Sequence, residues 1–162
     1  MPGFTRRGLA CLAASYFFPL LVQAYPPDAL PKASITGITL ERGCFGCATG
    51  SSLVLRRDGS AIYTVTGNAR SGTTDAVSKG MVPVKDFDEL ATLAVAQRFF
   101  ELSDTYEDPQ TRDGPWTTTG VARGELEKRV FRRDEAGPPA LKAFEAAIEA
   151  LRARIMFVPE VR

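Results

Sequence analysis

Ser52-Leu53-Val54-Leu55-Arg56-Arg57-Asp58-Gly59-Ser60-Ala61-Ile62-Tyr63-Thr64-Val65-Thr66 holds the clearest fold signal in the chain. Two runs rich in β-branched and aromatic residues, Ser52 to Arg57 and Ala61 to Thr66, flank Asp58-Gly59. A tight hairpin turn needs a residue at positive φ, and an Asp-Gly pair supplies it at small cost, so this stretch predicts an antiparallel pair. Before it, Ile35 to Leu40 alternates weakly, with Ile38 and Leu40 on one face. After it, a polar loop around Gly67 to Gly72 leads to a further strand between Thr73 and Val84.

Helical periodicity follows. Phe87, Leu90, Ala91 and Ala94 fall at i, i+3, i+4 and i+7, one apolar face of a helix that is expected to end near Phe99-Phe100. Asp86 and Glu89 have the spacing of a capping box, which places the N-cap at Asp86. Asp104 to Pro115 reads as a loop rich in acids and prolines. Trp116 to Arg123 and Glu125 to Arg133 read as two strands about a turn at Gly124, the second with poor alternation that predicts a bulge or an edge position. Pro138-Pro139 opens a last helix, since proline suits a first helical turn. Leu141, Phe144, Ile148, Leu151 and Ile155 make its apolar stripe, expected to pack on the sheet. The order strands, helix, hairpin, helix predicts an α+β fold: an antiparallel sheet with two helices packed on one face.

The chain has 162 residues, 44% apolar and 24% charged, and a formal net charge of +1. That is globular composition at a length that buries a sizeable core. No histidine is present, which excludes Ser-His-Asp and Cys-His hydrolases, zincins and His-ligated metal sites. Three cysteines rule out a four-cysteine zinc site within one chain.

Residues 1–24 read as a cleavable signal peptide. Arg6 and Arg7 form a positive start, an apolar run of about 14 residues extends from Leu9 to Val22, and Val22-Gln23-Ala24 offers small residues for cleavage. Such a run is short for a permanent span of a roughly 30 Å hydrocarbon core. Thr5-Arg6-Arg7-Gly8-Leu9 fits a twin-arginine signal as well as the n-region of an ordinary one. Cleavage removes two arginines and no acid, leaving 18 basic against 19 acidic groups, a net of −1. A near-neutral chain gives no electrostatic reason to expect nucleic acid as a partner, and no membrane span is expected after cleavage. The predicted organisation is a signal peptide at 1–24, a proline-rich spacer at 25–33, a single α+β domain at 34–156 and a C-terminal tail at 157–162, in a protein exported to the periplasm or the extracellular space.

From Ile38 to Arg152 the chain resembles an uncharacterised bacterial family of small exported domains of unknown function. The resemblance is carried by Gly43-Cys44-Phe45-Gly46, by Asp58-Gly59, by Arg98-Phe99-Phe100-Glu101-Leu102 with Asp104 and Tyr106, by the segment from Asp113 to Thr119, and by Gly137-Pro138-Pro139. It implies the fold and export, and no activity or ligand. The family pattern G-C-F-G-x-C-P-x-Y is departed from here: two residues separate Cys44 from Cys47, and Ala48-Thr49-Gly50 stands where proline and tyrosine are expected.

Cys44-Phe45-Gly46-Cys47 is the motif with reactive potential. In a redox C-x-x-C site a following helix lowers one thiol pKa, whereas here Ser51-Ser52 and the apolar Leu53-Val54-Leu55 follow. An oxidising compartment favours a disulfide clasp between Cys44 and Cys47, with a redox-active pair, free thiols or part of a metal site as the alternatives. A loop so short restrains the unfolded chain by only ~2 kcal/mol. Asp104, Glu107, Asp108 and Asp113 crowd one stretch as a candidate binding loop, without the alternate spacing of an EF-hand. Arg123, Lys128, Arg129, Arg132 and Arg133, interleaved with Glu125, Glu127, Asp134 and Glu135, are expected to form an exposed, salt-laced face. Thr117, Thr118 and Thr119 have no neighbouring base for nucleophilic work. The function expected is a non-catalytic binding or structural module of the envelope or extracellular space, with an envelope protein or small ligand as partner and with no metal or cofactor. The alternative is an enzyme using the Cys44–Cys47 pair for redox work, or Asp104 and Asp113 as an acid–base pair.

Overall fold

The hairpin at Asp58-Gly59 forms between β2 (Gly50–Arg56) and β3 (Ser60–Thr66), with Leu55 opposite Ala61. The Arg56 carbonyl accepts from the Gly59 amide at 3.1 Å, and Gly59 takes φ +91°. Arg57, Asp58 and Gly59 thus make a type I turn closed by a left-handed glycine, the usual three-residue hairpin connection. Asp58 accepts from the Ser60 hydroxyl at 2.6 Å and the Ser60 amide at 2.8 Å. The hydroxyl bond first, then the amide bond, holds its carboxyl below the usual carboxylate range.

The computed structural model describes residues 34–110 and 113–160; the expected signal peptide and spacer lie outside the described residues. Around the hairpin run β1 (Ile35–Cys44), β4 (Ala76–Met81), β5 (Thr105–Tyr106), β6 (Pro115–Arg123), β7 (Leu126–Arg133) and β8 (Val158–Pro159). They form one eight-stranded sheet in the order β5-β7-β6-β1-β2-β3-β4-β8. Every pairing is antiparallel except β5 with β7, so the sheet is mixed and the class is α+β. The parallel pair corrects the wholly antiparallel expectation. Its strand, Thr105–Tyr106, lies at the start of the stretch read as a loop and lines the outer edge of β7. The Asp104 carbonyl accepts from the Phe131 amide there at 2.8 Å.

Two helices, α1 (Val84–Ala96) and α2 (Pro139–Arg152), complete the fold. Among the described residues no helix is long and apolar enough to cross a membrane. The β1 register aligns Ile38 with Leu55 and Val121, and Leu40 with Leu53 and Thr119, which gathers the apolar positions of three strands into rows. Phe87, Leu90, Ala91 and Ala94 of α1 and Leu141, Phe144, Ile148 and Leu151 of α2 join those rows in one buried core. Phe99 bridges to α2, its ring 5.4 Å from that of Phe144.

Several local expectations need correction. The cap of α1 is Pro83, not Asp86: the Pro83 carbonyl accepts from the Phe87 amide at 3.1 Å, and no side chain caps the helix. Proline fixes φ at the helix entrance and carries no side-chain acceptor, so the first-turn amides receive no bond from the cap residue's side chain. Asp86 lies in the first turn, 3.8 Å from Arg154, where its charge opposes the helix dipole. The helix stops at Ala96. Arg98 takes φ +53°, and Phe99–Glu101 form a separate 3₁₀ turn. The β6–β7 register is regular from Trp116↔Arg133 to Arg123↔Leu126, so the bulge is absent while the edge-like position holds, β7 being covered on its outer side by two residues of β5 alone among the described residues; the irregularity lies between β1 and β6 at Ile35/Gly37. In the segment read as a tail, Phe157 packs 5.6 Å from the Tyr63 ring and Val158 pairs with Lys79 of β4.

Arg132 was expected on an exposed face, and it is instead part of a buried ion pair. Arg132 Nε donates to Glu145 Oε2 at 2.8 Å, and its Nη2 lies 2.7 Å from the same oxygen. Thr119 Oγ1 donates to Glu145 Oε1 at 3.0 Å, and Arg132 Nη1 donates to the Asp134 carbonyl. Glu145 is buried in the middle of α2, so the group clamps that helix to β6 and β7. Glu145→Ala takes the carboxylate from a largely buried guanidinium that keeps only its bond to the Asp134 carbonyl, and should cost about 3 kcal/mol, read from the urea midpoint at constant slope. Asp86→Ala should cost no more than about 0.5 kcal/mol, because a charge near the dipole is lost and a cap is not. A loss of a full cap's worth in the same measurement would restore Asp86 as the N-cap.

Candidate functional site

One row across the sheet assembles the site. The β1–β6 pairing sets Gly43 opposite Trp116 and Cys44 opposite Pro115, and the β6–β7 pairing sets Trp116 opposite Arg133. Gly43, Trp116 and Arg133 are therefore lateral neighbours on one face. A Cβ at Gly43 would come within 2.6 Å of Trp116 Cζ2 and 2.9 Å of Cε2, so the bare backbone is what lets the indole lie across β1. On its other side the indole stacks with Phe131, centroids 6.4 Å apart and planes at 26°. The Arg133 guanidinium covers the Phe131 ring at 5.6 Å, and its Nε donates to Glu107 at 3.4 Å.

Beyond Gly43, Cys44 ends β1 and the chain turns through Phe45 and Gly46. Cys44 and Cys47 lie at disulfide distance, with Cα atoms 5.3 Å apart, and the Cys47 amide donates to the Cys44 carbonyl at 3.4 Å. Gly46 at φ +83° makes this short turn possible. Phe45 is 75% exposed. A second loop, between β3 and β4, is fastened to the turn. Asn68 Nδ2 donates to the Cys47 carbonyl at 2.8 Å, and Thr73 Oγ1 donates to the Ala48 carbonyl at 3.2 Å. Asn68 Oδ1 in turn accepts from the Arg70 amide at 2.9 Å, which fixes the 3₁₀ turn Ala69–Ser71 beside the cysteines.

Concavities flank this end of the sheet among the described residues, one of them of about 590 Å³ along Arg42, Cys47, Tyr63, Val65 and Pro115, and two more beside it. One, of about 310 Å³, lies between Arg42, Cys47, Thr66 and Asn68. The other, of about 530 Å³, is lined by Cys44, Phe45, Gly46, Asn68, Arg70, Ser71, Trp116 and Arg133.

The acidic candidates are not drawn together. Asp104 pairs with Lys128, Glu107 with Arg133, and Asp108 accepts from the Gln110 amide at 2.9 Å, while Asp113 is exposed just before β6. Each of the first three therefore already has its own partner. Among the described residues no three acidic or cysteine side chains converge as a metal-holding group. Of the basic hairpin residues, Arg129 bridges Glu41 at 2.9 Å and Glu127 at 3.5 Å on the open face, and Arg123 stacks 5.6 Å over Phe100.

The chain matches the model of the family described as Domain of unknown function (DUF6438) over residues 36–152. The chain belongs to that family. No curated protein matches it. The DUF6438 match takes in the three strands and both loops that build the site, from Gly43 through Asn68 to Arg133. Sequence reasoning singled out the cysteines and passed over Trp116, Arg70 and Gly43 as site residues. The one signal available was the lone tryptophan of the chain, standing in a run of threonines.

Trp116 is the only tryptophan, so its emission reports this end of the domain alone. Gly43→Ala should push the indole off the strand, red-shift that emission and destabilise the domain by about 1–3 kcal/mol, the usual range for overpacking. An unchanged spectrum and midpoint would show that the indole does not depend on Gly43.

Proposed function

We propose that the chain is exported through residues 1–24, and that its domain acts as a non-catalytic binding module of the cell envelope or extracellular space. The binding end is the turn from Cys44 to Cys47. The observation that carries this reading is Phe45, a large apolar side chain 75% exposed on a turn held by the cysteine pair and by Asn68. An aromatic side chain kept in water on a stiff turn is ready to be buried by a partner, gaining about 1.5–3 kcal/mol with little ordering cost. The cysteine pair fits a structural clasp: Cys47 leads into β2, not into a helix whose N-terminus would stabilise a thiolate.

Two measurements test the proposal. Intact mass of the protein recovered from the periplasm or medium should correspond to a chain beginning near Tyr25; a chain that still carries Phe17 and Phe18 contradicts export by cleavage. The secreted protein used as bait in envelope extract should capture a partner that Phe45→Ser loses while its melting temperature is retained. Equal capture by that variant would remove the turn as the binding element.

A further inference from the structure

We infer that Met81 and Met156 form an oxidation site, at which each thioether takes one oxygen atom from a peroxide while the fold stays intact. The inference does not depend on the binding role proposed above. Met81 ends β4 and is 73% exposed, and Met156 lies just before β8 and is 87% exposed. The β4–β8 pairing sets Lys79 opposite Val158. Continued by two residues, that register brings Met81 level with Met156 on one face of the sheet. The chain does run alongside β4 there: a Cβ on Gly80 would meet the Met156 carbonyl at 2.9 Å and the Phe157 ring at 3.1 Å. The two methionines are thus neighbours at one edge of the domain.

Their exposure contrasts with a buried core that holds no methionine. Cys44, Cys47, Met81 and Met156 carry the sulfur of the described residues. The cysteines lie at disulfide distance, and the buried core is made of leucine, isoleucine, valine, phenylalanine and alanine. Methionine is a common gap-filler of cores, and there its conversion to the polar sulfoxide disrupts packing. At Met81 and Met156 water reaches the sulfur and can solvate the new oxygen. The step balances with hydrogen peroxide as the oxidant. A lone pair on Sδ attacks one peroxide oxygen, and the S–O bond forms as the O–O bond breaks. Sulfur loses two electrons to the departing hydroxide, which takes the proton from the transferred oxygen and leaves as water. Each thioether so oxidised removes one peroxide from solution without touching the core.

The test treats the purified protein with hydrogen peroxide and follows the gain of one oxygen at each methionine by peptide mass mapping. Both residues should react within about threefold of the rate of N-acetylmethionine amide, because exposure governs susceptibility. Once both sulfoxides have formed, Trp116 and the cysteines should be unmodified, and the circular dichroism spectrum and melting temperature should match those of the untreated protein. Met81→Gln/Met156→Gln, which puts a polar group of similar length in place of each sulfoxide, should also keep that melting temperature. A rate more than about tenfold below that of the free amide at either methionine overturns the inference, since that thioether is then covered. So does modification of Trp116 or the cysteines before the methionines. A fall in melting temperature, in the doubly oxidised protein or in the glutamine variant, overturns it as well.

Discussion

The placement of β1 between β2 and β6 governs both the core and the site. Its register sets Ile38 beside Leu55 and Val121, and the same register, continued along the strand, sets Gly43 beside Trp116 and Cys44 beside Pro115. Side chains alternate between faces along a strand, so a slip of one residue would turn the apolar row outward and place Trp116 against a side chain where it now meets bare backbone. The burial of Ile38 and Leu40 therefore fixes, several residues away, the surface on which the indole rests. Stability and site geometry here depend on a single alignment.

A second constraint acts through α2. The apolar stripe of that helix would tolerate some rotation and sliding on the sheet, because apolar contacts carry little direction. Glu145 removes that freedom, since its oxygens must meet Thr119 of β6 and Arg132 of β7 together. Buried ion pairs add little net stability over apolar packing, and their use here is positional. Arg132 and Arg133 are neighbours on β7 facing opposite sides of the sheet. One anchors the helix and the other lines the concavity beside the cysteine turn.

Much of the secondary structure was legible because its causes are local. Asp58-Gly59 and Pro139 act through backbone torsions within a few residues, and the spacing of Phe87, Leu90, Ala91 and Ala94 is a property of one helix. Asp86 misled because a plausible capping spacing was pre-empted by Pro83, whose backbone alone starts the helix. The strand Thr105–Tyr106 was hidden because two residues carry no periodicity and are held by β7, more than twenty positions onward. Of the site, the cysteine turn could be read directly. Trp116, Arg133 and Arg70 could not, because they become neighbours only through pairings between segments distant in sequence. The stretches from Gly43 to Gly46 and from Asp113 to Thr119, both of which carry the family resemblance, become adjacent in the β1–β6 pairing.

The two ends of the sheet are finished in the same manner, each by a strand of only two residues: Thr105–Tyr106 on β7 and Val158–Pro159 on β4. An open edge is a template on which another chain can pair. Pro159 lacks the amide that a further strand would need, and Lys79 with Glu160 places an ion pair beside it. On the opposite side the part of β7 beyond β5 carries Glu127, Lys128 and Arg129. A chain that arrives on an incoming neighbour must bring its backbone past those charges. Among the described residues, both edges of the sheet are thus guarded against joining edge to edge with a second copy.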